Sequence, residues 1–112
     1  MSGALTLLRK REQERLERRE KLRAQVRQEL KEALHRLIPG QQVYLYGSIT
    51  QPLQFHDRSD VDLALLEEPT SCSLYQLISL LEEALRRPVD IVLLSETRLR
   101  DKIKSQGELW TN

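Results

Sequence analysis

The chain has 112 residues, which is one small domain with a modest core. At 39% hydrophobic and 31% charged it is too apolar to be fully disordered. Its apolar runs fall far short of the about 20 residues that span a bilayer. Its single cysteine excludes an internal disulfide or a Cys-rich zinc site, and two histidines argue against a His-based metal cluster. The net charge of +1 hides an asymmetry: residues 1–23 carry eight lysines and arginines against four acids, and residues 24–112 carry ten against thirteen. An acidic remainder is better suited to holding cations than to coating nucleic acid.

From about Leu5 to Leu37 the chain lacks Gly and Pro and is rich in good helix formers. Leu22, Val26, Leu30, Leu34 and Leu37 recur at spacings of four and three. This predicts one long helix over residues 1–38, with 21–38 packed on the core and a solvated or partner-seeking first half. Pro39-Gly40 ends it. Gln42 to Tyr46 alternates and reads as a strand, followed at once by Gly47-Ser48. Residues 49–59 read mostly as loop, with room for a short helix. Asp60 to Leu66 is a second strand and Ser73 to Arg87 a second long helix. Val89 to Leu94 is a third strand, and a last helix runs from about Glu96 to Gln106 with Ser95 as its N-cap. Gly107 stops that helix, and Trp110 is expected to pack over the core. The order predicts an α/β (α+β) domain over residues 39–112, a three-stranded mixed sheet covered by helices.

The chemistry concentrates at Asp60-Val61-Asp62. Side chains on a strand alternate, so Asp60 and Asp62 share a face and Val61 points to the core. Two like charges this close call for a cation, and Mg²⁺ is commonly held by a pair of carboxylates plus phosphates. Asp90, near the start of the next strand, can complete the cluster if the strands are neighbours. Gly47 permits close approach of backbone to a phosphate. The Ser48 hydroxyl and nearby N–H groups can donate to its oxygens. Arg58, in the loop before the carboxylates, could steer a triphosphate or be a solvated charge. His56 in the same loop reads as a surface histidine, and Cys72 as a bystander.

Tyr46-Gly47-Ser48, then Ser59-Asp60-Val61-Asp62-Leu63 and the later Asp90, resembles the signature of the polymerase-β-like nucleotidyltransferase superfamily. Each motif alone is common; the resemblance rests on their joint spacing. Within the superfamily the chain looks like a minimal nucleotidyltransferase, the class paired with HEPN-domain toxins. The tail Gly107-Glu108-Leu109-Trp110 also resembles family members. One departure stands out: many members follow Gly-Ser with a small residue and Arg-Gly, whereas this chain has Ile49-Thr50-Gln51-Pro52.

The resemblance implies a cytoplasmic, Mg²⁺-dependent enzyme that transfers AMP from ATP to a hydroxyl. Two ions would be held by Asp60, Asp62 and Asp90, the same three residues being catalytic, with Gly47, Ser48 and Arg58 holding the nucleotide. It implies an antitoxin whose acceptor is a tyrosine of a HEPN ribonuclease toxin. Neither a membrane nor a nucleic acid is an expected partner. The chain has no second domain to shape an acceptor pocket, so a partner or a second copy must supply it. Two other readings stay open: a non-catalytic module that neutralises a partner by occlusion through the long helix, and a small-molecule nucleotidyltransferase of the aminoglycoside-modifying kind.

Overall fold

The computed structural model describes residues 3–112. Helix α1 spans Gly3–Leu37, and strand β1 spans Gln42–Tyr46. A 3-10 turn follows over Gly47–Thr50. Then come β2 (Val61–Leu65), α2 (Leu74–Leu85), β3 (Val89–Leu93), α3 (Arg100–Gln106) and β4 (Glu108–Thr111). No described helix is long and apolar enough to cross a membrane.

The strands form one mixed sheet in the order β3-β2-β1-β4. β1 is antiparallel to both β2 and β4, whereas β2 and β3 are parallel. The parallel pair requires a crossover, which α2 provides. α2 starts at a capping box between Ser73 and Gln76 and ends at Arg86 in the left-handed region (φ 56°), two residues before Pro88. The two amide–side-chain bonds of the box satisfy donors that a helix start otherwise leaves bare.

Alternation sorts each strand onto two faces. Val43, Leu45, Val61, Leu63, Leu65 and Ile91 pack against α1 and α2 in the main core. Tyr44, Tyr46, Ala64 and Val92 line the other face, where Ile103 of α3 covers part of it. The buried residues of α1 are Val26, Leu30, Ala33 and Leu34, all in its second half.

The sheet has four strands, not the three that the sequence predicts. The segment after Gly107 adds itself to β1, with Trp110 opposite Val43 and Glu108 opposite Leu45. Four residues are too few for alternation to declare itself, and the strand is set by tertiary contacts. A Cβ on Gly107 would lie 2.5 Å from the Ile103 carbonyl oxygen and 2.9 Å from that of Leu45, so only glycine lets α3 turn so tightly into β4. Arg27 of α1 then clamps the strand. It forms a bidentate pair with Glu108 at 2.7 and 3.0 Å and lies over the Trp110 ring, 5.3 Å from its centroid. The last helix also begins later than predicted. Ser95 is not its cap; Leu99 is, and the Leu99 N–H donates to Thr97 Oγ1 at 3.2 Å. The residues between β3 and α3 form turns instead.

Candidate active site

β1 delivers Gly47 at its end, and β2 and β3 deliver the carboxylates at their starts. Tyr46 stands opposite Asp62 across the antiparallel pair, and Asp62 stands beside Asp90 across the parallel pair. Tyr46, Asp62 and Asp90 therefore form one row across the sheet, on the face that α3 partly covers. Asp60 immediately precedes β2 and is exposed, as is Asp90, whereas Asp62 is half-buried.

Electrostatics marks Asp62 as the centre of this row. Burial, then the charges of Asp90 and Asp60, push its carboxyl up to about 6. Burial, then the charges of Asp62 and Asp90, push the Tyr46 hydroxyl up to about 12. Asp62 thus feels both of its neighbouring carboxylates. Among the described residues, no three His, Cys, Asp or Glu side chains stand close enough to hold an ion unaided. Repelling carboxylates need a positive charge between them to close a set of this kind.

Gly47 makes the approach to Asp62 possible. Its φ is +75°, and a Cβ there would meet Asp62 Oδ2 at 2.6 Å. Both the backbone conformation and the space require glycine. Thr50 Oγ1 closes the following turn by donating to the Gly47 carbonyl at 2.7 Å. A cleft of about 240 Å³ opens beside this point, lined by Tyr46, Gly47, Gln51, Asp62, Lys102 and Gln106 among others. Lys102 puts a cation in that cleft, at a place no motif foretells. Thr50 and Gln51, which follow Gly47-Ser48-Ile49, also line it.

Of the residues singled out in the sequence, Gly47, Asp62 and Asp90 come together, with Asp60 alongside. Ser48 is the second residue of the 3-10 turn, and its carbonyl accepts from the Gln51 N–H at 3.1 Å. Arg58 does not line this cleft. It lines another, between α1 and the 51–60 loop. The Asp62–Asp90 pair with Asp60 alongside, a glycine cradle beside it and a lysine in the same cleft suit a divalent cation together with a phosphate chain.

The profile of the family described as polymerase beta, nucleotidyltransferase matches residues 28–111. The chain belongs to this family. Solved structures agree. The chain is similar to one in a crystal structure of a toxin–antitoxin with AMP-PNP, at 31% identity over 76% of this chain and 73% of that one, with a TM-score of 0.59. It is also similar to a chain of a mutant MntA–HpeT toxin–antitoxin, at 28% identity over 74% and 70% and a TM-score of 0.56. A third similarity is to a chain of the MntA–HepT toxin–antitoxin, at 26% identity over 80% and 73% and a TM-score of 0.55. No curated protein matches the chain.

Proposed function

We propose that this nucleotidyltransferase transfers AMP from ATP to a hydroxyl, a tyrosine, of a partner HEPN ribonuclease toxin and so acts as its antitoxin. The observation that carries the reading is the row Tyr46–Asp62–Asp90 beside Gly47, faced by Lys102. The toxin–antitoxin structures to which the chain is similar support the partner, and the AMP-PNP complex among them supports ATP. The partner supplies the acceptor pocket, and a cytoplasmic setting follows from it.

Asp60, Asp62 and Asp90 are the residues that would hold Mg²⁺, two ions in this reading. When bound, the metal neutralises charge on the phosphates and acidifies the acceptor hydroxyl. The chain's own groups do the positioning. Gly47 lets backbone N–H groups approach the phosphate chain, and Ser48 adds a hydroxyl. Lys102 pairs with a phosphate oxygen, taking the place of the arginine that the turn lacks. The acceptor oxygen forms a bond to the α-phosphorus, the bond to the bridging oxygen breaks, and pyrophosphate departs. Asp90 is the exposed carboxylate of the row and receives the proton of the acceptor hydroxyl.

Asp90→Asn separates binding from chemistry. It should bind Mg-ATP within a few-fold of wild type, yet label a co-expressed partner at least ~100-fold more slowly, the usual scale for a lost general base. Mass spectrometry of the partner reads each added AMP. Wild-type labelling by Asp90→Asn removes Asp90 from the chemistry. A wild-type chain that silences its partner without labelling it establishes occlusion instead.

A further inference from the structure

The first half of α1 builds a second cleft. Residues 15–22 lie ahead of the family match, which begins at residue 28. They are nevertheless held against the domain. Arg19 Nη1 donates to the Leu53 carbonyl at 3.3 Å, the Leu53 N–H donates to the Glu20 carboxylate, and Arg23 Nη1 donates to the Ile49 carbonyl at 3.0 Å. Between helix and loop opens a cleft of about 370 Å³. Its walls carry Arg15, Arg18 and Arg19 from α1 and His56, Asp57 and Arg58 from the loop.

The loop side of this cleft is built, not slack. Phe55 is fully buried, with the Arg87 guanidinium over its ring at 4.7 Å. Arg87 Nη1 donates to the Ser59 carbonyl at 2.9 Å, the His56 N–H donates to Ser59 Oγ at 3.0 Å, and the Arg58 N–H donates to His56 Nδ1 at 3.1 Å. Arg15 is partly neutralised by Glu12 at 2.6 Å. Among the described residues, no hydrogen bond or ion pair ties the guanidinium of Arg18 or Arg58 to the protein.

With Arg15 paired to Glu12, the guanidinium groups of Arg18, Arg19 and Arg58 against the Asp57 carboxylate leave a surplus of two positive charges. Like charges gathered in a cleft repel, and the planar guanidinium fork matches phosphate oxygens two at a time. A single phosphate monoester offers too few oxygens to fill every fork. A condensed phosphate chain brings more, and a cleft of this size accommodates it. None of its lining residues lines the cleft that holds Asp62 and Lys102.

We propose that the α1–loop cleft is a second anion site, taking a condensed phosphate chain, either pyrophosphate or the tail of a nucleoside triphosphate. The proposal stands whether or not the carboxylate row transfers nucleotides. The full chain is titrated calorimetrically with pyrophosphate, ATP and AMP, in EDTA so that no metal contributes. Pyrophosphate should bind at least tenfold more tightly than AMP, and affinity should fall as salt rises. Equal affinity for ATP and pyrophosphate identifies the free chain as sufficient; tenfold tighter ATP identifies the triphosphate as the source. The double variant Arg18→Ala, Arg58→Ala should lose at least tenfold with an unchanged melting temperature, and Lys104→Ala, exposed on α3 and lining neither cleft, should stay within twofold of wild type. Unchanged binding by the double variant overturns the proposal. So does an equal loss on Lys104→Ala, AMP binding as tightly as pyrophosphate, or a ten-nucleotide RNA binding tenfold more tightly than either condensed phosphate.

Discussion

Asp62 sits in an environment that favours its neutral form. Its folded value of about 6 lies above the ordinary 3.8, so ionisation costs stability. The sign follows: the cost is absent below pH ~4, grows through pH 6 and is complete above it. Asp62→Asn removes the charge and keeps the shape. In the metal-free protein it should raise the melting temperature at pH 7.5 and leave it unchanged at pH 4, as read by thermal denaturation at both. The same variant should lose metal-dependent ATP binding. Gly47 is the other residue with no substitute. Gly47→Ala must place a Cβ in the left-handed region, at about 1–2 kcal/mol, and must turn the Asp62 carboxylate out of the row. We expect a folded variant, modestly less stable by urea denaturation, that has lost metal-dependent ATP binding by calorimetry.

At the scale of elements, β4 depends on one cation. Arg27 reaches Glu108, the Trp110 ring and the Ile49 carbonyl at once. The hydrogen bond from Arg27 holds the Glu108 carboxyl below its usual range, against the opposing effect of burial. A lowered carboxylate contributes stability above its unfolded value and loses it as pH falls through the folded value. Glu108→Gln should therefore flatten the acid limb of stability below pH ~4. Arg27→Ala should cost about 1–3 kcal/mol in urea denaturation, the range for a charge-assisted bidentate pair with ring contact. The same contacts explain what the sequence could and could not show. The carboxylates were legible in part: strand period groups Asp60 with Asp62, and Asp90 could join them only if its strand lay alongside, which the parallel β2–β3 register supplies. β4 was not legible, because its position is set by Gly107 and by an arginine 81 residues away in the chain. Lys102 was hidden for a similar reason: only packing of α3 on the sheet brings it to Asp62. Arg58 lines the other cleft, and proximity to Asp60 in sequence does not say toward which cleft the loop turns it.

The whole molecule joins a compact domain to a helix that outgrows it. The core uses α1 only from Leu22 onward, so helical stability there comes from a packed face that the first half lacks. A chain beginning at Lys21 should stay folded, with an unchanged near-ultraviolet spectrum, and should differ from the full chain in partner affinity or self-association by analytical ultracentrifugation. The 35 residues of α1 also set the hydrodynamics. The principal extents are 61 × 29 × 19 Å, and the radius of gyration is 16.6 Å, against about 13 Å for an ordinary domain of this length. A rod-tailed particle diffuses slowly for its mass. On a gel-filtration column calibrated with globular standards, a single copy will elute ahead of its true weight and imitate a dimer. Light scattering, which weighs the particle without regard to shape, is the measurement that separates one copy from two.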